Sequence, residues 1–207
     1  MAVNEPPTPP SESMASIALH SPTADFEHRL LHSLADVTKA VRELKHAGSR
    51  VVLTSGSFDL IHLGHVKYLA RAKECGDVLL VGVDSDAKIR RRKGDDRPMV
   101  PQAERLEMLA YQRPVDLIYL KHDDDPRWGL IKAAEPDVLV LTAGHSYTLS
   151  EQKALLEFCG RIEVVERQSD VTTSERIRQM YMHLGDRLGP KLAEILPELI
   201  DRILKRR

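Results

Sequence analysis

Thr54-Ser55-Gly56-Ser57-Phe58-Asp59-Leu60-Ile61-His62-Leu63-Gly64-His65 places two histidines where an extended segment gives way to a helix. The preceding Val51-Val52-Leu53 is a short β-branched and apolar run, and Val66 to Lys73 carries apolar residues at helical spacing. This is the pattern of the first βα turn of an α/β fold, where ligands collect at the carboxyl ends of parallel strands. The first turn of such a helix offers unpaired N–H groups and partial positive charge to an anion. Gly56 and Gly64 are expected to let backbone approach a phosphate closely. His62 and His65, three apart, project to one side of a helical turn. Imidazole donates hydrogen bonds in either charge state and titrates near neutrality, so the pair suits charge that builds on phosphate oxygens. Two rival readings are a capping histidine beside a surface one, and a metal pair. A metal site needs a third ligand and a supporting shell, and no Cys or carboxylate is spaced to supply it.

Working outward, Val78 to Val83 is an apolar run of buried-strand type, and Pro101 to Gln112 has helical spacing that begins near a Pro. Val115 to Leu120, Val138 to Leu141 and Ile162 to Val165 read as further strands, with a helix through Trp128, Leu130 and Ile131. Strands alternating with helices predict a Rossmann-like, doubly wound parallel sheet of five strands with helices on both faces. Residues 1–23, rich in Pro and Ser, read as a disordered tail. Over 24–48, Phe26, Leu30, Leu34, Val37, Val41 and Leu44 recur every three or four residues and Gly48 closes the run, which predicts an amphipathic helix. The main domain is expected over 49–183. The last segment, 184–207, is an amphipathic extension interrupted by Pro197, which could cover the core, join two subunits or lie on a membrane surface.

Composition narrows the function classes. The chain has 207 residues, enough for one core of ordinary size plus extensions. A net charge of -1 gives no overall attraction to nucleic acid or to an anionic membrane. Cys75 and Cys159 are two widely separated packing residues, which suits a reducing compartment. No apolar run approaches the ~20 residues that cross a bilayer. With no Lys or Arg before Arg29, no secretory signal or transit peptide is expected, and the reading is cytoplasmic.

The run from Gly56 to His65 resembles the G-x-F-D-x-x-H-x-G-H signature of the H-x-G-H nucleotidyltransferases, the family of cytidylyltransferases and sugar-phosphate adenylyltransferases. The resemblance extends from about Val51 to about Met180. Val83-Asp84-Ser85-Asp86 is similar to the family's segment after the second strand. Lys93-Gly94-Asp95-Asp96-Arg97-Pro98-Met99-Val100-Pro101 resembles the K-G-x-x-R-P-x-x-P run of heptose-1-phosphate adenylyltransferases, and Glu104-Arg105 fits the element that follows. Arg167-Gln168-Ser169-Asp170-Val171-Thr172-Thr173-Ser174 resembles the R-T-x-G-I-S-T-T motif that closes over nucleotide phosphates.

This resemblance implies transfer of a nucleoside monophosphate, AMP favoured, from a nucleoside triphosphate to a sugar phosphate, with pyrophosphate released. The absence of a G-x-x-x-x-G-K-[ST] loop and of a nucleophile elbow agrees with direct attack on the α-phosphorus. His62, His65, Lys93 and Arg167 would be catalytic. Ser57, Phe58, Asp59, Gly64, Asp84, Arg97, Thr172, Thr173 and Ser174 would contact the nucleotide. Mg²⁺ would bridge triphosphate oxygens with mostly water ligands and no firm protein ligand. The implied partners are ATP or CTP and a small phosphorylated acceptor, with no nucleic acid and no membrane, and a homodimer is expected. Where the heptose branch reads K-G-G-D-Y, this chain has Leu141-Thr142-Ala143-Gly144-His145-Ser146-Tyr147, so Gly144, His145 and Tyr147 stand as candidate acceptor contacts. Two alternatives stay open: a cytidylyltransferase for glycerol phosphate or a similar polyol or amino-alcohol phosphate, and a nucleotide-binding regulatory protein without turnover. Bland readings stand beside the motifs. Arg90 to Arg92 reads as a solvated charge run, Thr172 to Ser174 as a helix cap, Glu104 and Arg105 as an ion pair, and Asp123 to Asp125 as a solvated turn.

Overall fold

The structure, a computed structural model, describes residues 26–166 and 173–204. It divides into two compact units, Met1–Gln168 and Ser169–Arg207. The first begins with a one-turn helix α1 (Phe26–Arg29), a two-residue strand β1 (Leu30–Leu31) and helix α2 (Leu34–His46). The single helix expected over 24–48 is therefore broken. Ser33 sits in an extended conformation, φ -143 and ψ 161, and its side chain caps α2 by accepting from the Asp36 N–H at 3.1 Å. A cap of this kind stabilises a helix start by about 1 kcal/mol, enough to fix where the helix begins.

There follow β2 (Val51–Gly56), α3 (Leu63–Lys73), β3 (Val78–Asp84), α4 (Asp86–Lys93) and α5 (Gln102–Ala110). Next come β4 (Leu117–Lys121), α6 (Gly129–Ala134), β5 (Val138–Thr142), α7 (Leu149–Leu155) and β6 (Arg161–Val165). The strands form one sheet in the order β1-β4-β3-β2-β5-β6, with every pair parallel. The sheet thus has six strands where the sequence predicts five, because β1 joins the outer edge of β4 through Leu30 and Leu31 opposite Ile118 and Tyr119. The architecture is the α/β, Rossmann-like sheet with helices on both faces.

Side chains alternate between the two faces of each strand, and the core splits accordingly. Val51 and Leu53 of β2 pack with Val37, Val41 and Leu44 of α2, Leu130 and Ile131 of α6, and Leu155 of α7. Val52 faces the other side, with Tyr68 and Leu69 of α3 and Leu106 and Leu109 of α5. Each fully buried Leu or Val contributes about 1.5–3 kcal/mol, so both helical layers are fixed by apolar burial. Cys159 is buried in the first of these layers and behaves as a packing residue. The chain runs from β2 to β3 and β4 on one side and returns to β5 and β6 on the other, which makes β2 the strand at the topological switch point. The turn after β2 consequently opens into the crevice where open α/β sheets bind ligands.

The second unit is described from α8 (Thr173–Leu204), a 32-residue helix that contains Pro190 and Pro197. The helical stripe expected from 184 thus starts earlier, and Pro197 lies within the helix. Among the described residues no helix is long and apolar enough to cross a membrane.

Gly82 in the middle of the sheet sits where three side chains converge. A Cβ there would lie 2.4 Å from Leu130 Cδ2, 2.6 Å from Ser55 Oγ and 2.9 Å from Lys121 Cδ. Gly82→Ala is expected to destabilise the protein by about 1–3 kcal/mol in urea unfolding, since the Leu130 contact lies in a packed layer. An unchanged unfolding midpoint would show that the space beside Gly82 is not filled.

Candidate functional site

The turn after β2 is built by one aromatic ring. Phe58 adopts the left-handed conformation, φ 48, and its side chain is buried. A Cβ on Gly56 would meet the Phe58 ring at 3.0 Å. Gly56 thus leaves room for the ring that folds back over it. The ring of His65 lies 5.6 Å from that of Phe58, so the same aromatic anchors the histidine.

His62 is the N-cap of α3, and the two histidines cap each other's turn. His62 Nδ1 accepts from the Gly64 N–H at 3.0 Å, and His65 Nδ1 accepts from the His62 N–H at 3.4 Å. An imidazole nitrogen that accepts a hydrogen bond carries no proton, so both neutral rings place their proton on Nε2. Their ring centroids are 4.1 Å apart. Burial, then the proximity of His62 and Lys93, lowers the pKa of His65 to about 4. The ring is neutral at pH 7 and acts as a dipolar donor. The capping reading and the phosphate-facing reading are compatible, because the cap uses Nδ1 of each ring. Gly64 supplies its N–H to His62 and is buried beneath the pair.

Asp59 closes the basic loop onto this turn. Its Oδ2 accepts from Arg97 Nη1 at 2.7 Å, and its Oδ1 accepts from the N–H groups of Met99 at 2.7 Å and Val100 at 3.0 Å. These bonds, with the Arg97 charge, outweigh the upward effect of burial and hold the carboxyl below its ordinary range. Arg97, expected to gather phosphate, is engaged by a buried carboxylate. Lys93 ends α4 beside them; partial burial, then Arg92 and Arg97, lowers its pKa.

A second carboxylate, Asp84, ends β3 and is 2% exposed, so it must be paired. It accepts from Lys121 Nζ at 3.0 Å and from Arg92 Nη2 at 2.9 Å, and Arg92 reaches Ser57 Oγ at 2.7 Å. Despite the upward effect of burial, the cations keep Asp84 ionised. Arg92 and Lys121 were not legible as site residues. The first hides in the run Arg90 to Lys93, and the second is visible only through the parallel register that sets Lys121 opposite Asp84. Arg105 is fully buried and donates to the carbonyls of Val100 at 3.0 Å, Ser57 at 2.5 Å and Asp84 at 2.9 Å, and to Asp86 Oδ1 at 2.7 Å. It is a structural staple, whereas Glu104 is exposed.

The departing loop is ordered by its own residues. His145 Nδ1 accepts from the Tyr147 N–H at 3.2 Å, which makes it a loop-organising histidine, and Gly144 takes φ 81. Burial, then Asp84 and Glu151, raises the pKa of Tyr147, whose ring packs against the sheet. Asp125 accepts from the Tyr119 hydroxyl and from the His122 N–H, so the acidic turn is structural there. Arg167 and Thr172 lie outside the described residues; Thr173 and Ser174 open α8 in the second unit. No group of three His, Cys, Asp or Glu among the described residues is placed to hold a metal ion. Asp59 and Asp84 are already engaged by protein donors, so the donor set fits an ion carried by phosphate oxygens and water and not a protein cage.

The family model described as cytidylyltransferase-like matches residues 53–188. The bifunctional protein HldE of a Nitratiruptor species is 39% identical over 158 residues, covering 76% of this chain and 33% of that protein. HldE of Geotalea uraniireducens is 39% identical over 173 residues, covering 82% of this chain and 34% of that protein. The chain therefore spans about a third of the length of these relatives. Among solved structures, the lipopolysaccharide core biosynthesis protein from Thermoplasma volcanium matches with a TM-score of 0.50 and 28% identity, over 60% of this chain and 100% of that one.

The depressed pKa of His65 has a measurable sign. Between 6.5 and about 4 the unfolded chain binds a proton at this residue and the folded protein does not, so stability is full above that window and falls as the pH drops through it. At pH 5 the loss amounts to about 2 kcal/mol. In His65→Gln the difference in unfolding free energy between pH 7 and pH 5 is expected to shrink by about that amount. An unchanged acid dependence would show that His65 takes up its proton in the folded protein.

Proposed function

The chain belongs to the cytidylyltransferase-like family, and we propose that it transfers a nucleoside monophosphate, AMP favoured, from a nucleoside triphosphate to a sugar phosphate with release of pyrophosphate. The observation that carries this reading is the mutually capped histidine pair at the amino end of α3, beside the switch point of the sheet. An oxygen of the acceptor phosphate forms a bond to the α-phosphorus while the bond between that phosphorus and the oxygen bridging to the β-phosphorus breaks. No covalent enzyme intermediate is needed. His62 and His65 donate from Nε2 to oxygens around the α- and β-phosphates. The amino end of α3 adds its partial positive charge.

Lys93 meets the triphosphate from the loop that Asp59 and Arg97 fasten down. Its pKa is lowered first by burial and then by Arg92 and Arg97, and an arriving anion would offset that repulsion. Ser57 and Asp84 enter through Arg92, which both engage. Arg167, Thr172, Thr173 and Ser174 belong to this reading by motif, as the group that gathers the β- and γ-phosphates. Mg²⁺ accompanies the triphosphate, neutralising its charge. The same reading takes the chain as a cytoplasmic homodimer. The Lys93 to Pro101 run supports the sugar-phosphate acceptor over a glycerol-phosphate one.

The test is pyrophosphate release by the full chain with ATP or CTP, Mg²⁺ and a panel of sugar and polyol phosphates. Release is expected with ATP and a sugar 1-phosphate, and His62→Ala or His65→Ala should lower kcat on the order of 10²–10³-fold without unfolding. A preference for CTP with glycerol 3-phosphate would move the protein to the other branch of the family. Unchanged turnover in both histidine variants would remove the assigned chemistry.

A further inference from the structure

The sheet opens between two neighbouring strands at its switch point. β2 pairs with β3 at six positions, Val51 to Gly56, but with β5 at two, Val52 opposite Val138 and Leu53 opposite Leu139. Just beyond the last of these pairs the Val140 carbonyl is met by side chains. Thr54 Oγ1 lies 3.1 Å from it and the Tyr68 hydroxyl 3.2 Å, and the two hydroxyls are 2.6 Å apart. We infer that Tyr68 is a positioning residue for the histidine pair, its hydroxyl fixing the amino end of α3 to the floor of the crevice between β2 and β5. The inference rests on the transferase reading above and names what sets the place of the two rings within it.

Tyr68 stands three residues after His65 and four after Gly64, one turn along the same face of α3. The buried residues of this helix are Gly64, Tyr68, Leu69 and Ala72. Gly64 has no side chain, so Tyr68 is the buried side chain nearest the histidines, roughly 4.5 Å from His65 along the axis. Leu69 and Ala72 hold the helix by apolar burial, which is non-directional and leaves its slide and rotation free. The Tyr68 hydroxyl adds directional bonds, to two strands at once. The layer that receives Tyr68 also contains Phe58, whose ring lies 5.6 Å from that of His65. The histidine is thus braced from the turn by Phe58 and from its own helix by Tyr68.

The chemistry of the trio makes the two hydroxyls unequal. Two protons serve three contacts: one lies between Thr54 and Tyr68, and the other goes to the Val140 carbonyl from whichever hydroxyl accepts the first. Burial raises the pKa of Tyr68 to about 12, so its proton stays in place at neutral pH. Thr54 and Val140 have no exposure and Tyr68 is buried, so water does not compete for these bonds. Without the Tyr68 hydroxyl, Thr54 still donates to Val140, strand to strand, and the helix loses its directional tie. Without the Thr54 hydroxyl, Tyr68 still donates to Val140, and the helix stays tied. Each change removes one buried hydroxyl and leaves the carbonyl satisfied.

The full chain is compared as wild type, Tyr68→Phe and Thr54→Val, with folding checked by circular dichroism and the urea midpoint. Pyrophosphate release with ATP, Mg²⁺ and a panel of sugar and polyol phosphates is measured beside an NMR titration of the His65 ring. A misplacement of about 1 Å can cost roughly 10²-fold in rate, and Tyr68→Phe, which keeps the ring and removes one of two braces, is expected to lower kcat about tenfold. The KM for ATP should stay within about twofold, and Thr54→Val within about threefold of wild type in kcat. In Tyr68→Phe the pKa of His65 should rise from about 4 toward 6.5 as the ring leaves its buried place, and in Thr54→Val it should hold. Equal losses of kcat in the two variants, as a general loosening of the core would give, would overturn the inference. A wild type that releases no pyrophosphate with any acceptor, together with a His65 shift confined to Tyr68→Phe, would remove the transferase reading and leave the positioning role standing. Release by the wild type with neither kcat nor His65 altered in Tyr68→Phe would do the reverse.

Discussion

Arg105 is the constraint on which the site depends. A guanidinium with no exposure is tolerated only when its donors are used, and this one spends them on four oxygens from three segments. Ser57 belongs to the turn after β2, Asp84 and Asp86 to the end of β3 and the start of α4, and Val100 to the loop that precedes α5. Removing the guanidinium would strand several buried carbonyls at once, a cost of several kcal/mol by the behaviour of other buried charged groups. The positions of His62, Lys93 and Arg97 are in this sense consequences of a residue on another helix that touches none of them.

Around this staple the two buried carboxylates divide the work. Asp59 draws the loop from Lys93 to Pro101 down onto the turn, and Asp84 collects Arg92 and Lys121 at the end of the sheet. Four cations, Arg92, Lys93, Arg97 and Lys121, stand against these two carboxylates, so the cluster is held together and still carries surplus positive charge. The balance is what an anion-binding site requires: enough internal pairing to preorganise the cations, and not so much that they are neutralised. The neutral His65 ring beside them adds a directed dipole without adding to the repulsion.

The strand and helix alternation, the histidine turn and the Lys93 to Pro101 run were legible because each is local: periodicity, a contiguous motif and fixed spacing. The break in the first helix was also written in the sequence, as Ser33 three residues before Asp36, but the apolar period runs straight through it and outweighed the cap. β1 escaped notice because two leucines carry no alternation to read. Arg105, Arg92 and Lys121 escaped for a different reason, since their roles depend on partners between 5 and 48 residues away and, for Arg105, on burial that charged residues seldom show. The contact of Gly56 with the Phe58 ring was not legible because that ring arrives only through a left-handed turn.

The brevity of β1 reaches beyond the fold of one molecule. A parallel sheet ends in two rows of unpaired backbone groups, and a long flat edge is a template on which other chains polymerise. On one flank β1 covers only Ile118 and Tyr119 of β4 and is itself too short to recruit another strand. On the other, β6 sets the charged Arg161 and Glu163 along the margin. Leu30 and Leu31 therefore serve the solubility of the chain as much as its stability, and lengthening that strand would trade a tidy margin for an adhesive one.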